Sequence, residues 1–229
     1  MDGVLIIDKP SGWTSHDVVN FIRRRFDVKK VGHAGTLDPM ATGVLVMLIG
    51  KYTKASSRFM SADKEYYAEM KLGGTSDTGD AWGKVVASGV TVDIKEDKIR
   101  EVFKGFLGSI EQVPPIYSAV KHKGKKLYEL ARKGISVKVE PRTIFIEKLD
   151  ITKIELPEVA FKVCCSKGTY IRQLCVDIGS RLGCGAYLSK LERTRSGAFH
   201  IENAMSIEEL KAGTAQDLEK RLITETDSN

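Results

Sequence analysis

The chain alternates apolar and polar stretches whose periods assign most of its elements. Residues 3–8 (GVLIID) predict a strand that stops at the turn signature Lys9-Pro10-Ser11-Gly12. Val18, Val19, Ile22 and Phe26 then recur at helical spacing behind Ser15, a residue type that caps helices. Residues 44–49 (VLVMLI) are continuously apolar and predict a buried strand; residues 51–60 fit a short helix. Residues 65–72 alternate as a strand does until Gly73-Gly74. Ile94, Ile99, Val102, Phe103 and Phe106 predict an amphipathic helix over 93–106, and Pro114-Pro115 is a stiff break. Beyond it the pattern predicts a short basic helix over 125–133, strands over 138–152 and 158–166, and a helix over 169–182. An extended segment over 187–195 and a short helix over 206–211 follow, and the polar last residues are expected to fray. Strands and helices mix without strict β-α-β order, so the expected class is α+β on a largely antiparallel sheet.

Composition narrows the class. With 229 residues the chain fits one large domain or one with a small appendage, and 42% hydrophobic content excludes a disordered chain. No apolar run approaches the ~20 residues a membrane span needs, and the N-terminus lacks signal-peptide features, so a cytoplasmic protein is expected. Cys164, Cys165, Cys175 and Cys184 form no C-x-x-C pair, which argues against a zinc finger and for reduced, buried thiols. The net charge of +6 favours a polyanionic partner only modestly, but the basic residues cluster. Arg23, Arg24 and Arg25 precede Lys29 and Lys30; Lys121, Lys123, Lys125, Lys126, Arg132 and Lys133 are broken only by Glu129. Two such clusters suit a phosphate-tracking surface.

The densest candidate chemistry is residues 32–43 (GHAGTLDPMATG). Its glycines allow sharp turns and close approach of backbone to a ligand, and Pro39 biases Asp38 away from helical geometry. A fixed carboxylate on such a loop suits a nucleophile or general base, while an Asx turn or a helix cap is what most Asp-Pro pairs make. No Gly-Lys-Ser/Thr follows, so this is not a P-loop. His33 is open to acid–base, stacking or turn roles. His16, His122 and His200 are scattered, and no second histidine stands at metal-ligand spacing. Tyr66 and Tyr67 point to opposite faces of their strand, so one can reach a site while the other packs. Residues 74–80 read as a surface turn with two carboxylates, Asp77 and Asp80. In residues 166–172 (SKGTYIR) a Ser or Thr is expected to cap the following helix, whose free N–H groups can receive a phosphate. Arg172 lies in that first turn, against the helix dipole, which hints at a specific anionic partner; Asp38 is a candidate.

These residues together resemble the TruB family of pseudouridine synthases, which act on uridine 55 in the T-loop of transfer RNA. The resemblance rests on IDKPSG (7–12), the 32–43 loop, KEY (64–66), QVPP (112–115) with SAVK (118–121), YELARKG (128–134), SKGTYIR (166–172), and Tyr187-Leu188 through Leu191. It implies a catalytic fold with a long, mainly antiparallel mixed sheet flanked by helices. It also implies a basic RNA cleft and no cofactor or metal. Asp38 matches the family's essential aspartate, Tyr66 the tyrosine that stacks on the target base and is placed to take its C5 proton, and Arg172 the arginine paired with the aspartate. His33, Leu191, Lys9, Gly35, Thr36 and Tyr170 are placed around the substrate, Leu191 as an apolar wall and Lys9 mainly in a structural role. The expected organisation is a catalytic domain over 1–200 and a short tail over 201–229, too short for the PUA-type module of many members. A monomer acting on the T-stem-loop of transfer RNA, without membrane attachment, is expected. Two other readings stay open: a non-catalytic RNA-binding or chaperone protein on the same scaffold, and a glycosidase or nucleosidase drawing a second acid from Asp77 or Asp80.

Overall fold

The structure, a computed structural model, describes residues 1–89, 93–118, 120–122, 124–131, 133–135 and 137–224, without the side chains of Lys121, His122 and Lys126. The chain forms two compact units, Met1–Tyr66 with Leu191–Asn229, and Tyr67–Lys190.

In the first unit, β1 (Gly3–Lys9) lies antiparallel to β3 (Thr42–Ile49), with Gly3 opposite Ile49 and Lys9 opposite Gly43. Every β3 residue from Gly43 onward is buried, which is why the sequence there is continuously apolar. The other edge of β3 changes partner along its length: β2 (Val31–Ala34) pairs antiparallel with Val46 to Ile49, and β12 (Ala186–Ser196) pairs parallel at Thr42 and Gly43. Residues 35–41, with Asp38, connect β2 to β3 at this change of partner. Between β1 and β2, α1 (Ser15–Arg25) buries Val18, Val19 and Ile22. Its cap is Thr14, in a capping box with Asp17, and not Ser15 as expected. Ser15 instead turns its hydroxyl inward, donating to the Leu37 carbonyl (3.1 Å) and accepting from the Leu37 N–H (2.9 Å).

The helix expected over 51–60 is a 3-10 turn (Gly50–Ala55) followed by α2 (Ser56–Met60), which leads into β4 (Lys64–Leu72). Strands β4 and β12 are hydrogen-bonded neighbours, and each contributes residues to both units. After β12, β13 (Phe199–His200) folds back on it, and α6 (Ile207–Ala212) follows. Within the polar stretch expected to fray, α7 (Ala215–Lys220) is capped by Thr214, buries Leu218, and is followed by Ile223, whose N–H and C=O both bond to Val4; residues 225–229 lie outside the described residues. Residues 191–224 thus belong to the same compact unit as β1 to β3.

In the second unit the strand order continues from β4 to β11 (Glu158–Cys165), β10 (Arg142–Glu155) and β7 (Gly108–Gln112). β10 is antiparallel to both of its neighbours. Helices α3 (Glu96–Lys104) and α5 (Ile171–Leu182) belong to this unit, and Phe103 of α3 meets Phe161 of β11 edge to face at 5.4 Å. β5 (Gly74–Ser76) and β6 (Val85–Ala87) form a small hairpin. β8 (Lys121–His122) and β9 (Lys125–Lys126) form another, so the expected basic helix shortens to α4 (Leu127–Ala131). β11 is buried on both faces over Phe161 to Cys165 apart from Lys162, and all four cysteines are buried free thiols. The mainly antiparallel mixed sheet with flanking helices matches the α+β expectation.

Candidate active site

The loop carrying Asp38 is fixed at several points. Gly35 and Gly43 bound it with φ of +89° and +96°, a region that disfavours side chains. At Gly43 no other residue fits, because a Cβ would lie 2.3 Å from the Arg193 carbonyl oxygen. Asp38 is half-buried, and its carbonyl accepts the Ala41 N–H (3.0 Å), closing a turn. The Pro39 carbonyl accepts the Gly12 N–H (2.9 Å), and Leu37 is held by Ser15. Thr36 is exposed.

Beneath the loop stand buried cations. Lys9, with no exposed surface, donates its Nζ to the carbonyls of Trp13 (2.7 Å), Pro10 (2.8 Å) and Pro39 (3.4 Å). Burial lowers its pKa to about 8; the negative charge of Asp38 opposes that shift and the positive charge of Arg193 adds to it. Arg193, 1% exposed, was not singled out from the sequence. It donates Nε to the Val44 carbonyl (2.7 Å) and Nη2 to the Gly35 carbonyl (3.0 Å). The only sequence signal for it is alternation: Leu191 and Arg193 are both buried and share one face of β12. Lys64 is also buried and donates to the carbonyls of Met60 and Ala62. Two residues on, Tyr66 shares its buried face, while Tyr67 turns to the other face and donates to Glu69 (3.0 Å). His33 sits mid-strand in β2. Burial first, then the charges of Arg193 and His16, lower its pKa, so its ring is neutral at neutral pH. Its Nδ1 is buried without a hydrogen-bond partner among the described residues.

Arg172 and Tyr170 lie in the second unit. Arg172, 5% exposed, has a buried anion there: Nε is 3.6 Å from the Asp80 carboxylate, while Nη1 and Nη2 donate to the carbonyls of Thr78 (2.7 Å) and Tyr117 (3.0 Å). The 74–80 segment is therefore not merely a surface turn. Asp80 is buried, accepting from the Thr78 hydroxyl (2.8 Å) and the Trp82 N–H (3.0 Å) besides facing Arg172. A carboxylate so engaged is poorly placed to be a glycosidase's second acid. The α5 cap also differs from expectation: Tyr170 holds the position without a side-chain cap. Ser166 instead accepts from the Phe145 N–H, and Thr169 donates to the Ser166 carbonyl. The buried Gln112 amide clamps the Tyr170 backbone, accepting its N–H (2.8 Å) and donating to its carbonyl (3.1 Å).

Of the basic clusters, Arg23, Arg24, Lys29 and Lys30 are exposed, while Arg25 donates to the carbonyls of Lys211 and Gly213. Beside them is a cavity of about 780 Å³ lined by Gly12, Trp13, Asp17, Asn20, Phe21 and the two arginines 24 and 25. In the second cluster Lys125 and Lys133 are exposed, and Lys123 and Arg132 lie outside the described residues. Among the described residues no group of three or more metal-ligating side chains comes together, and no helix is long and apolar enough to cross a membrane.

Two family models match the sequence, the TruB family pseudouridylate synthase (N terminal domain) over residues 23–171 and the tRNA pseudouridylate synthase B C-terminal domain over residues 172–227. The chain is 45% identical over 223 residues to the tRNA pseudouridine synthase B of Opitutus terrae, covering 97% of this chain and 92% of that one. It is 50% identical over 224 residues to the tRNA pseudouridine synthase B of Protochlamydia amoebophila, covering 97% and 84%. Among solved structures it resembles a chain of a Cbf5-Nop10-Gar1 complex, with a TM-score of 0.72 and 38% identity over 91% of this chain. It also resembles a chain of an H/ACA RNP bound to a substrate RNA containing 2'-deoxyuridine, with a TM-score of 0.70 and 33% identity over 98% of this chain. This chain spans 53% and 57% of those two chains, respectively.

Proposed function

The chain belongs to the TruB family of pseudouridine synthases, and from that premise we propose that it converts uridine to pseudouridine at position 55, in the T-loop of transfer RNA, with Asp38 as the catalytic carboxylate. The observation that carries the assignment of Asp38 is its loop. A half-buried carboxylate lies on a segment pinned at Gly35, Leu37, Pro39 and Val44, with the buried Lys9 ammonium within its electrostatic reach. Such a group keeps its place while the substrate's bonds change, which is what preorganised catalysis requires.

In this reading the target uridine leaves its stack at a cost of a few kcal/mol. Asp38 acts on the ribose, forming a C1' ester that breaks again when C5 attacks, or assists cleavage without one; either way the N1–C1' bond breaks, the uracil turns, C5 bonds to C1', the C5 proton departs to a base, and N1 takes up a proton. Tyr66, on the buried face of β4, stacks on the base and is placed to take that proton; Leu191 walls the pocket; His33, neutral, meets the rearranged RNA loop. Arg172 takes the family motif's role of partner to the catalytic aspartate; within its own unit it faces Asp80. Gly35 and Thr36 approach the RNA through the loop, and Tyr170 through the start of α5.

The test is a T-stem-loop RNA tritiated at C5 of its uridines. Tritium release without free uracil supports the proposal. Free uracil supports a glycosidase, and neither product supports a non-catalytic RNA-binding protein. Asp38→Asn is expected to abolish tritium release while leaving RNA affinity within about threefold, the signature of lost transition-state interaction.

A further inference from the structure

We infer that Arg193 is a positioning residue for this reaction: its guanidinium grips the main chain on both sides of Asp38 and holds the carboxylate's loop in working geometry. The inference rests on the function proposed above.

Three observations carry it. The side chain is buried, and among the described residues its donors meet main-chain carbonyls and no carboxylate: Nε bonds Val44 and Nη2 bonds Gly35. A planar guanidinium reaches the two carbonyls from two different nitrogens of one rigid fork, whereas a lysine offers a single nitrogen on a flexible stem. These carbonyls lie one before and one after the segment that carries Asp38, so a single side chain closes the loop at its base. Second, the strand beneath is seated just as closely. Arg193 pairs with Gly43, where any side chain would strike the Arg193 backbone, and the Thr42 hydroxyl reaches the Leu191 carbonyl (3.5 Å). The loop thus cannot shift against β12 without losing the Arg193 contacts. Third, the charge is costly where it stands. Its positive charge disfavours the protonated forms of both Lys9 and His33. Packing alone does not require a charge there, because an apolar side chain of similar volume would fill the space without opposing the charge on Lys9.

The mechanism assigned to Asp38 uses no atom of Arg193, so the residue acts through the loop. Loss of the grip therefore slows chemistry without weakening capture of the RNA. The proposal is tested with Arg193→Lys, which keeps the charge but replaces the two-nitrogen fork by one nitrogen on a flexible stem, and Arg193→Met, which keeps neither contact. Three quantities are measured on folded protein: the single-turnover rate of pseudouridine formation in a T-stem-loop RNA, the Kd for that RNA, and hydrogen exchange of the Leu37 and Ala41 amides. The rate is expected to fall about a hundredfold in Arg193→Lys and further in Arg193→Met, the size of effect a small displacement of a reacting group produces. Kd stays within about threefold, and the two loop amides exchange faster while those of β1 do not.

Rates near wild type in Arg193→Met would overturn the inference, as would a parallel fall of rate and affinity or unchanged exchange of the loop. If Arg193→Met does not fold, the milder Arg193→Lys decides by the same criteria. A wild-type protein that makes no pseudouridine would defeat the functional reading alone, and the exchange measurement would still judge the grip.

Discussion

A lysine without exposed surface carries a desolvation penalty, and Lys9 meets it with three carbonyl acceptors and the charge of Asp38. Its folded pKa, about 8, lies below the ordinary 10.5, so between those values the unfolded chain holds a proton that the folded chain has released. Stability therefore rises with pH across that window through this residue, and the contribution is flat below about 8. In urea melts at successive pH values, the unfolding free energy of wild type relative to Lys9→Met is expected to climb between pH 8 and 10.5. A flat difference would show that Lys9 is not so perturbed. The buried Arg172–Asp80 pair makes a different prediction at the same scale. Asp80→Ala leaves a buried guanidinium without that carboxylate and is expected to cost about 3 kcal/mol in denaturant melts.

Local caps add to packing at several elements of this chain. Three helices begin with the same device, Thr14 with Asp17, Ser206 with Glu209, and Thr214 with Asp217, each a reciprocal capping box. The hydroxyl and backbone bonds at each box hold these carboxylates below their ordinary pKa. Their stabilising effect is therefore present above the ordinary values of 3.8 for Asp and 4.5 for Glu, and is lost as pH falls through the folded values. Thr14→Ala is expected to destabilise by about 1 kcal/mol at pH 7 and by less at pH 3, which thermal melts at the two pH values would compare. An equal loss at both would show that Asp17 is not part of the cap.

For the whole molecule, the relevant quantity is charge facing a polyanion. A net charge of +6 supplies long-range attraction, but it is the exposed Arg23, Arg24, Lys29 and Lys30 that can release counterions from RNA. Affinity for transfer RNA is expected to fall linearly as salt rises on logarithmic axes, and Arg24→Ala should reduce that slope by about one unit without changing single-turnover rate. An unchanged slope would place the RNA away from the cavity by α1. Trp13 and Phe21, edge to face at 5.8 Å, both line that cavity, and aromatic side chains are the groups on which unpaired bases stack.

The sequence by itself determined the elements whose signals are local. Continuous apolar residues made β3, helical spacing made α1 and α5, and the glycines around Asp-Pro announced the loop that carries Asp38. The family motifs placed Asp38, Tyr66 and Arg172 as candidates. Even α7 was legible in principle, because Thr214 and Asp217 stand at capping-box spacing in a stretch dismissed as polar. What the sequence could not disclose was which charged residues go inside. Arg193 and Gly35 are 158 positions apart, and Arg172 and Thr78 are 94 apart. In each case burial depends on carbonyls that only the folded chain brings within reach. The choice of Thr14 over Ser15 as cap has the same origin: both are good caps locally, and the distant Leu37 backbone claims the serine. Tertiary structure decides these positions because a polar group's place is set by the partner that satisfies it, and period and composition carry no information about a partner far along the chain.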